Sequence, residues 1–197
     1  MTGSDQFSLA AVVLAGGQGS RMLGEDKGLV LFRQKPMAHW ILQKLAPVVD
    51  QLFISCNRNE LRYRQFGFPT LADQIPGYPG PLAGVQAAMH CCVGSYTHLM
   101  VMPCDTPLIA SAALEMLRQK AEENPASIVI LSDDNRSHYL HAVIPVAFHQ
   151  DLEERLRSGQ RAVYRWYRQY PVIEVDVSAL GQGLMNINTP QQLAVGA

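Results

Sequence analysis

A run of glycines followed by basic residues is the stretch of this chain best suited to chemistry. Residues 14–28 read LAGGQGSRMLGEDKG. Three glycines within four positions let the backbone approach a ligand closely, and consecutive N–H groups can then bind an anion. Arg21 and Lys27 add positive charge beside them. The spacing matches neither of the two common glycine-rich phosphate motifs, so we predict a phosphate-binding loop of a less general type.

A carboxylate follows a second apolar run. Asp105 lies within PCDTP, directly after the apolar residues 99–102. In an open α/β sheet ligands bind beyond the carboxyl ends of the strands, so we expect Asp105 to face the same crevice as the glycine loop. One carboxylate together with substrate phosphates is a usual way to hold Mg²⁺. The residues alone leave open that Asp105 instead caps the following turn or helix.

Other polar residues also follow predicted strands. Asn57 and Asp73 hold such positions, although both residue types are common in turns. Residues 76–81, PGYPGP, form the one dense cluster of helix breakers. A domain linker would account for this cluster, but a helical pattern begins directly after it, which favours a shaped binding loop.

Two asparagines occupy alternate positions near residue 187. Asn186 and Asn188 lie in NINTP. Thr189 as N-cap and Pro190 as first helical residue explain the end of this motif. They do not explain the asparagines, whose alternation directs both amides to one side of an extended segment, where they can bind phosphate oxygens.

The basic residues concentrate in one later stretch, interleaved with aromatic side chains. The arginines are Arg155, Arg157, Arg161, Arg165 and Arg168. Arginines at helical spacing are usually a solvated face, which is the alternative to a ligand site here. If residues 161–167 are helical, Arg161 and Arg165 share one face, and Trp166 offers a flat apolar surface beside them. His138 and His141 lack the spacing of metal ligands, and we interpret them as structural.

These residues require a scaffold that brings strand ends together. Short apolar stretches cover residues 10–15, 52–54, 99–102, 128–131 and 141–146, with helical patterns between them. Such runs without strict alternation are typical of a parallel sheet covered on both faces. We therefore predict an α/β fold, a single-domain, Rossmann-like, doubly wound and mostly parallel sheet, over residues 9–197 after a disordered tail at residues 1–8. Pro36 is predicted to open the first crossover helix.

Composition excludes several classes of function. The chain has 197 residues, 48% of them hydrophobic, and a formal net charge of −1. A charge near zero gives no long-range attraction to nucleic acid or to an anionic membrane. The four cysteines show no C-x-x-C spacing, and no apolar run reaches 18 residues. We expect a cytoplasmic protein that binds neither nucleic acid nor membrane.

Taken together, the motifs resemble those of the molybdenum cofactor guanylyltransferases. The shared motifs are LAGG-x-x-x-RM followed by DKG, then PCDTP, the PGPLAG loop, G-x-R-x-V and N-x-NTP. The resemblance runs from about residue 10 to residue 193. One departure is Tyr139, where the family has proline after the histidine, and it affects the shape of that loop.

The resemblance implies a role for each matching residue. It implies catalytic roles for Arg21, Lys27 and Asp105, with Asp105 as the ligand of Mg²⁺. It implies nucleotide binding by Leu14, Ala15, Gly16, Gly17, Lys27, Asn57, Asp73, Pro81, Leu82, Gly84 and Asp105. It implies molybdopterin binding by Arg161, Asn186 and Asn188.

The same resemblance implies a reaction and its partners. The enzyme would join GMP from GTP to the terminal phosphate of molybdenum-molybdopterin and release pyrophosphate. Proteins that deliver molybdopterin and chaperones of molybdoenzymes are further candidate partners. Two alternatives remain, a related cytidylyl- or sugar-1-phosphate nucleotidyltransferase and a non-catalytic carrier or adaptor for the molybdenum cofactor.

Overall fold

The computed structural model describes residues 6–15, 26–74, 80–134, 136–181, 183–189 and 192–193. The strands in these ranges are β1 (Leu9–Leu14), β2 (Leu31–Phe32), β3 (Lys35–Pro36), β4 (Gln51–Ser55), β5 (Thr70–Leu71), β6 (His98–Pro103), β7 (Ile128–Asp133), β8 (Arg136–Pro145) and β9 (Val172–Asp176). The helices are α1 (Met37–Leu45), α2 (Glu60–Arg64), α3 (Pro81–Cys92), α4 (Ser111–Glu123), α5 (His149–Arg157) and α6 (Val163–Tyr167). Among these helices, none is both long and apolar enough to cross a membrane.

Seven strands form one sheet in the order β5-β4-β1-β6-β8-β7-β9. The chain runs outwards from β1 through β4 to β5 and then returns to β6 on the other side of β1. This reversal makes the carboxyl ends of β1 and β6 the topological switch point, where ligands bind in such folds. The predicted mostly parallel, doubly wound sheet is confirmed.

Helices cover both faces of the sheet, as predicted. Along β1, Ala11 and Val13 point into the core beneath α1 and α4. Ala10 and Val12 point into the opposite core, beneath α3, α5 and α6. This alternation follows from the two-residue period of a strand, and burial on both faces explains why the whole strand is apolar.

Strand β8 is the exception to the parallel arrangement, and the sequence did not predict its direction. It pairs antiparallel with both β6 and β7. Strand β7 ends at Asp133 and β8 begins at Arg136, which leaves too few residues for the crossover that a parallel pair needs. The register also shifts, from Ile130 opposite Ala142 to Leu131 opposite His138, so residues 139–141 bulge out of the ladder.

Three predicted boundaries need correction or completion. Pro36 ends β3 and caps α1, which begins at Met37. The predicted tail at residues 1–8 is too long, because Ser8 exchanges hydrogen bonds with Thr97 and Phe7 packs against His98. Strand β5 precedes the breaker cluster at residues 76–81, and α3 follows it. Strand β5 belongs to the seven-stranded sheet and α3 packs on that same sheet, so the cluster does not connect two domains.

Candidate active site

Four polar side chains predicted at separate positions meet at the switch point. Lys27 Nζ lies 2.5 Å from Asp105 Oδ2 and also donates a hydrogen bond to Asn188 Oδ1. Asn186 Nδ2 donates to the same Asp105 oxygen over 3.2 Å. The ion pair is largely withdrawn from water, with 23% of the Lys27 side chain and 13% of the Asp105 side chain exposed. We refer to these four residues as the Lys27 cluster.

Backbone contacts explain why these four residues converge. Asp105 follows the buried strand β6, and its carbonyl accepts a 2.8 Å hydrogen bond from the Ile187 amide. Ile187 is fully buried, so the asparagines on either side of it point the other way, towards Lys27 and Asp105. The predicted alternation is confirmed, although the segment forms no strand of the described sheet. Thr189 Oγ1 accepts a hydrogen bond from the Gln192 amide, the contact expected of an N-cap residue, while the predicted first helical residue, Pro190, lies outside the described residues.

The alternative role of Asp105 as a helix cap is not observed. Helix α4 begins at Ser111 with Ala110 as its N-cap, and no side chain caps it. Within the described residues, Asp105 Oδ1 is buried without a hydrogen-bond partner, and no group of three His, Cys, Asp or Glu side chains is placed to hold a metal. An unpartnered carboxylate oxygen beside an ion pair fits a divalent cation whose remaining ligands come from substrate phosphates and water.

Two of the predicted nucleotide-binding residues, Asn57 and Asp73, bind each other. Asn57 follows β4 and donates to Asp73 Oδ2 over 2.8 Å, and the Asp73 amide donates to Asn57 Oδ1 over 2.9 Å. Burial raises the pKa of the Asp73 carboxyl, while the hydrogen bond from Asn57 acts in the opposite direction. The paired side chains hold a carboxylate at the ends of β4 and β5, where it can accept hydrogen bonds from a base.

The other predicted nucleotide residues line the joint between β1 and α3. Leu14 ends β1, and the Ala15 amide donates to Ser55 O over 2.8 Å. Pro81 opens α3, and the Leu82 side chain is buried in the core. A Cβ on Gly84 would lie 2.4 Å from the Ser55 hydroxyl oxygen, so this glycine is required for packing. Gly16, Gly17 and Arg21 lie outside the described residues, as do residues 76–79, Pro190 and Gln191.

The arginine stretch differs from the prediction in two ways. Helix α6 begins at Val163, so Arg161 is not on a helix face with Arg165. Trp166 is only 1% exposed and donates its indole N–H to Asp151 over 2.7 Å. It therefore cannot offer a flat surface to a pterin, as the sequence had suggested. Arg161 itself is exposed.

The remaining arginines of this stretch make short-range contacts or face solvent. Arg155 binds Asp151, and Arg157 binds Glu153, each four residues earlier in α5. Arg165 donates to the hydroxyl of the adjacent Tyr164. Arg168 is exposed. The contacts of Arg157 and Arg165 are typical of a solvated helix face, whereas the Arg155 side chain is only 14% exposed.

The two histidines have a structural role, as interpreted from the sequence. The β8 bulge places His141 against Thr106, with Nε2 2.9 Å from the Thr106 hydroxyl oxygen. His138 Nε2 lies 2.8 Å from Asp133 Oδ2. Burial, followed by the charges of His138 and Arg136, lowers the pKa of His141 to about 3. A neutral His141 therefore holds Thr106, the residue that follows Asp105, through this hydrogen bond.

Sequence reasoning missed the residues that hold the backbone around Lys27. Asn59 Nδ2 donates to Asp26 Oδ2 over 3.0 Å, and the Tyr63 hydroxyl donates to Asp26 Oδ1. Asp26 was visible as part of DKG, but neither Asn59 nor Tyr63 belongs to a motif. Their contact with Asp26 crosses 33 and 37 residues of chain, and no local pattern announces it.

Comparison with known proteins shows which family the chain belongs to. A family model described as MobA-like NTP transferase domain matches residues 11–173. The chain belongs to this family. Two relatives named molybdenum cofactor guanylyltransferase come from Ectopseudomonas mendocina and Shewanella loihica. The first is 34% identical over 191 residues, covering 97% of this chain and 92% of the relative. The second is 35% identical over 182 residues, covering 92% of each.

A solved structure extends the comparison to the fold. The molybdopterin-guanine dinucleotide biosynthesis protein A of Archaeoglobus fulgidus superposes with a TM-score of 0.76 at 25% identity. The alignment covers 95% of this chain and 96% of that one. Membership of the family confirms the predicted resemblance, and this MobA-like chain is a nucleotidyltransferase.

Proposed function

We propose that this MobA-like chain transfers GMP from GTP to molybdenum-molybdopterin, forming the guanine dinucleotide form of the cofactor. A terminal phosphate oxygen of molybdopterin attacks the α-phosphorus of GTP. The bond from the α-phosphorus to the bridging oxygen breaks, and pyrophosphate leaves. The nucleophile is already anionic, so positioning and charge neutralisation are required and a general base is not.

The observation that carries this proposal is the Lys27 cluster at the switch point of a MobA-like fold. Lys27 lies beside Asp105, the proposed metal ligand. When GTP binds, the Lys27 ammonium exchanges its contact with Asp105 for contacts with the β- and γ-phosphates. Asn186 and Asn188 then present amide groups to the phosphate of molybdopterin. The exposed Arg161 is a further candidate contact for this acidic substrate.

Asp105 is the proposed ligand of Mg²⁺, through the oxygen without a described partner. When bound, the metal would neutralise charge that develops on the phosphates. Nucleotidyltransferases commonly use a divalent metal, and its identity as Mg²⁺ belongs to this proposal.

Guanine specificity is assigned to the Asn57 and Asp73 pair. The Watson–Crick edge of guanine carries two adjacent donors, N1–H and the exocyclic amine, which suit a carboxylate that accepts both. Adenine, cytosine and uracil present one donor group each at this edge. Asn57 Nδ2 donates to Asp73 Oδ2 over 2.8 Å and so restricts the orientation of this carboxylate.

Binding of GTP, CTP, ATP and UTP, with and without Mg²⁺, tests this assignment. We expect GTP to bind at least about tenfold more tightly than the other three, a difference of ~1.4 kcal/mol. Asp73→Asn should remove most of this preference, because the amide replaces one acceptor oxygen with a donor. A preference for CTP would contradict guanylyl transfer. GTP binding without pyrophosphate release in the presence of molybdenum-molybdopterin would support a carrier.

The setting of the reaction is also part of the proposal. We place it in the cytoplasm, in one domain that takes in residues 7 and 8 together with the predicted residues 9–197. All four cysteines are free, as expected in a reducing compartment. Proteins that deliver molybdopterin or receive the product are the proposed partners of the same site.

A further inference from the structure

The carboxylate of Asp26 determines where the backbone places Lys27. Both Asp26 oxygens accept hydrogen bonds, one from the Asn59 amide and one from the Tyr63 hydroxyl. The Asp26 carbonyl accepts a 2.9 Å bond from the Leu29 amide, which closes the short turn that begins at Lys27. Asp26 is 9% exposed, so these bonds are largely shielded from water.

The local structure around Tyr63 is built for this contact. Tyr63 is fully buried, whereas the rest of the short helix α2 is exposed. A Cβ added to Gly28 would lie 2.5 Å from the Tyr63 hydroxyl oxygen, so only glycine permits its approach. Asn59 adopts a left-handed backbone with φ of +53°, which is unusual for a residue other than glycine. We call Asp26, Asn59 and Tyr63 the Asp26 clamp.

The Asp26 clamp belongs to a segment that also serves the proposed base site. Asn57, which orients Asp73, precedes Asn59 by two residues. A lysine side chain has four rotatable bonds and high rotamer entropy, so the position of its charge is well defined only if its backbone is fixed. The Asp26 clamp ties this backbone to residues 59 and 63 through two side-chain hydrogen bonds.

We propose that Tyr63, assisted by Asn59, is a positioning residue that fixes Lys27 for contact with the β- and γ-phosphates. The inference rests on the proposed function, because it needs a nucleoside triphosphate as substrate. Tyr63 touches no substrate and acts through Asp26. Its loss should therefore affect ligands that carry the β- and γ-phosphates and spare ligands that lack them.

Titration of Tyr63→Phe with GTP and with GMP separates positioning from a general structural role. We expect about a tenfold loss of GTP affinity and less than about a twofold change for GMP. Tyr167→Phe is the matched control. Its hydroxyl is also buried but has no hydrogen-bond partner among the described residues, so its removal should change neither affinity.

A double-mutant cycle tests the route through Lys27. In a Lys27→Ala background, Tyr63→Phe should cause no further loss of GTP affinity, because the group that it positions is gone. Additive losses would overturn the proposal, and so would equal losses for GTP and GMP, or no loss for either. If Tyr63→Phe does not fold, Asn59→Gly keeps the left-handed backbone, removes the amide and should show the same selective loss.

The outcome is independent of which base the protein prefers. If the nucleotide panel identifies CTP as the substrate, the guanylyl proposal fails, and the clamp is then tested with CTP against CMP. Selective loss for the triphosphate would still support positioning by Tyr63.

Discussion

The Lys27 cluster and the arginine stretch are both basic regions, but they are built in opposite ways. Lys27 contacts Asp105 and Asn188, which lie 78 and 161 residues further along the chain. Arg155 and Arg157 contact acidic residues four positions away, and both of those arginines lie on one helix. The first region exists only in the folded chain, whereas an isolated helix could form the second.

This contrast distinguishes a charge that depends on the tertiary fold for its position from charges that a single helix positions. Holding a partly buried lysine against a carboxylate and two amides requires the switch point, the turn at Lys27 and the segment around Ile187 to come together. The exposed ion pair of Arg157 with Glu153 needs none of this, and it contributes only a few tenths of a kcal/mol, about 0.3–0.5. We therefore expect substitutions in the Lys27 cluster to affect the reaction far more than substitutions in the arginine stretch.

The largest effect is expected at Asp105. Asp105→Ala should reduce pyrophosphate release from GTP and molybdenum-molybdopterin by about a thousandfold, the size seen when a key charge-stabilising group is lost. Asp105→Asn should also be severely impaired, because an amide is a poor ligand for Mg²⁺. Circular dichroism and thermal melting of both variants should show a retained fold. Near-normal, Mg²⁺-dependent activity of Asp105→Ala would contradict the assignment.

Lys27→Ala should lower GTP affinity and the rate of transfer together, each by about tenfold or more. Its charge is proposed to contact phosphates both in the bound substrate and in the transition state. Lys120→Ala is the matched control, because Lys120 forms an exposed ion pair with Glu123 on α4. Steady-state kinetics and GTP titration of both variants measure the effect. Unchanged parameters in Lys27→Ala would make Lys27 an ordinary surface charge.

The packing behind Asp105 should make stability depend on pH. Burial lowers the pKa of His141 to about 3 in the folded chain, whereas a histidine in the unfolded chain titrates near its ordinary value of 6.5. Between about pH 3 and pH 6.5, the His141 side chain therefore binds a proton in the unfolded chain but not in the folded chain. Its contribution to stability is complete above pH 6.5 and falls by about 1.4 kcal/mol per pH unit down to about pH 3.

Urea unfolding of the wild type and of His141→Gln between pH 7.5 and 5.5 measures this contribution. Glutamine can keep a hydrogen bond to Thr106 without titrating in this range. The difference between the two pH profiles isolates His141 from His98, a second buried histidine whose pKa burial also lowers. Parallel profiles would show that His141 does not cause the dependence.

The smallest effect is expected in the arginine stretch, and it should be selective. Arg161→Ala should weaken binding of molybdopterin about fivefold, while GTP affinity stays within about twofold, or ~0.4 kcal/mol. Arg157→Ala, which removes an exposed arginine paired with Glu153, should change neither affinity. Separate titration of each ligand decides the outcome. Equal losses in Arg161→Ala would indicate a role in folding, and no loss would assign Arg161 to the solvated face.

The sequence predicted those features that depend on local pattern. The buried strands before Asn57 and Asp105 were recognised from short apolar runs, and the meeting of strand ends follows from the fold class. The alternation of Asn186 and Asn188 around Ile187 was also predictable, because side chains on an extended backbone alternate. In each case a few neighbouring residues contain the whole signal.

The features that were missed depend on residues distant in sequence. Trp166 looked available as an aromatic surface, but its indole binds Asp151, on a different helix, and is buried. The direction of β8 follows from the few residues between it and β7, and the bulge that brings His141 to Thr106 depends on the register with β7. The role of Tyr63 required knowledge of which side chain lies above Gly28. None of these contacts is encoded by a local motif.

The span of the Lys27 cluster along the chain has a consequence for biosynthesis. Lys27 and Asp105 leave the ribosome well before Asn188, which follows Lys27 by 161 residues. Chains fold as they are synthesised, and contacts between distant segments form late. The nascent chain can therefore complete its sheet around β1 and β6 while the cluster still lacks both asparagines. Docking of Ile187 beside Asp105 then completes the site, so the ability to catalyse transfer is acquired after most of the fold is in place.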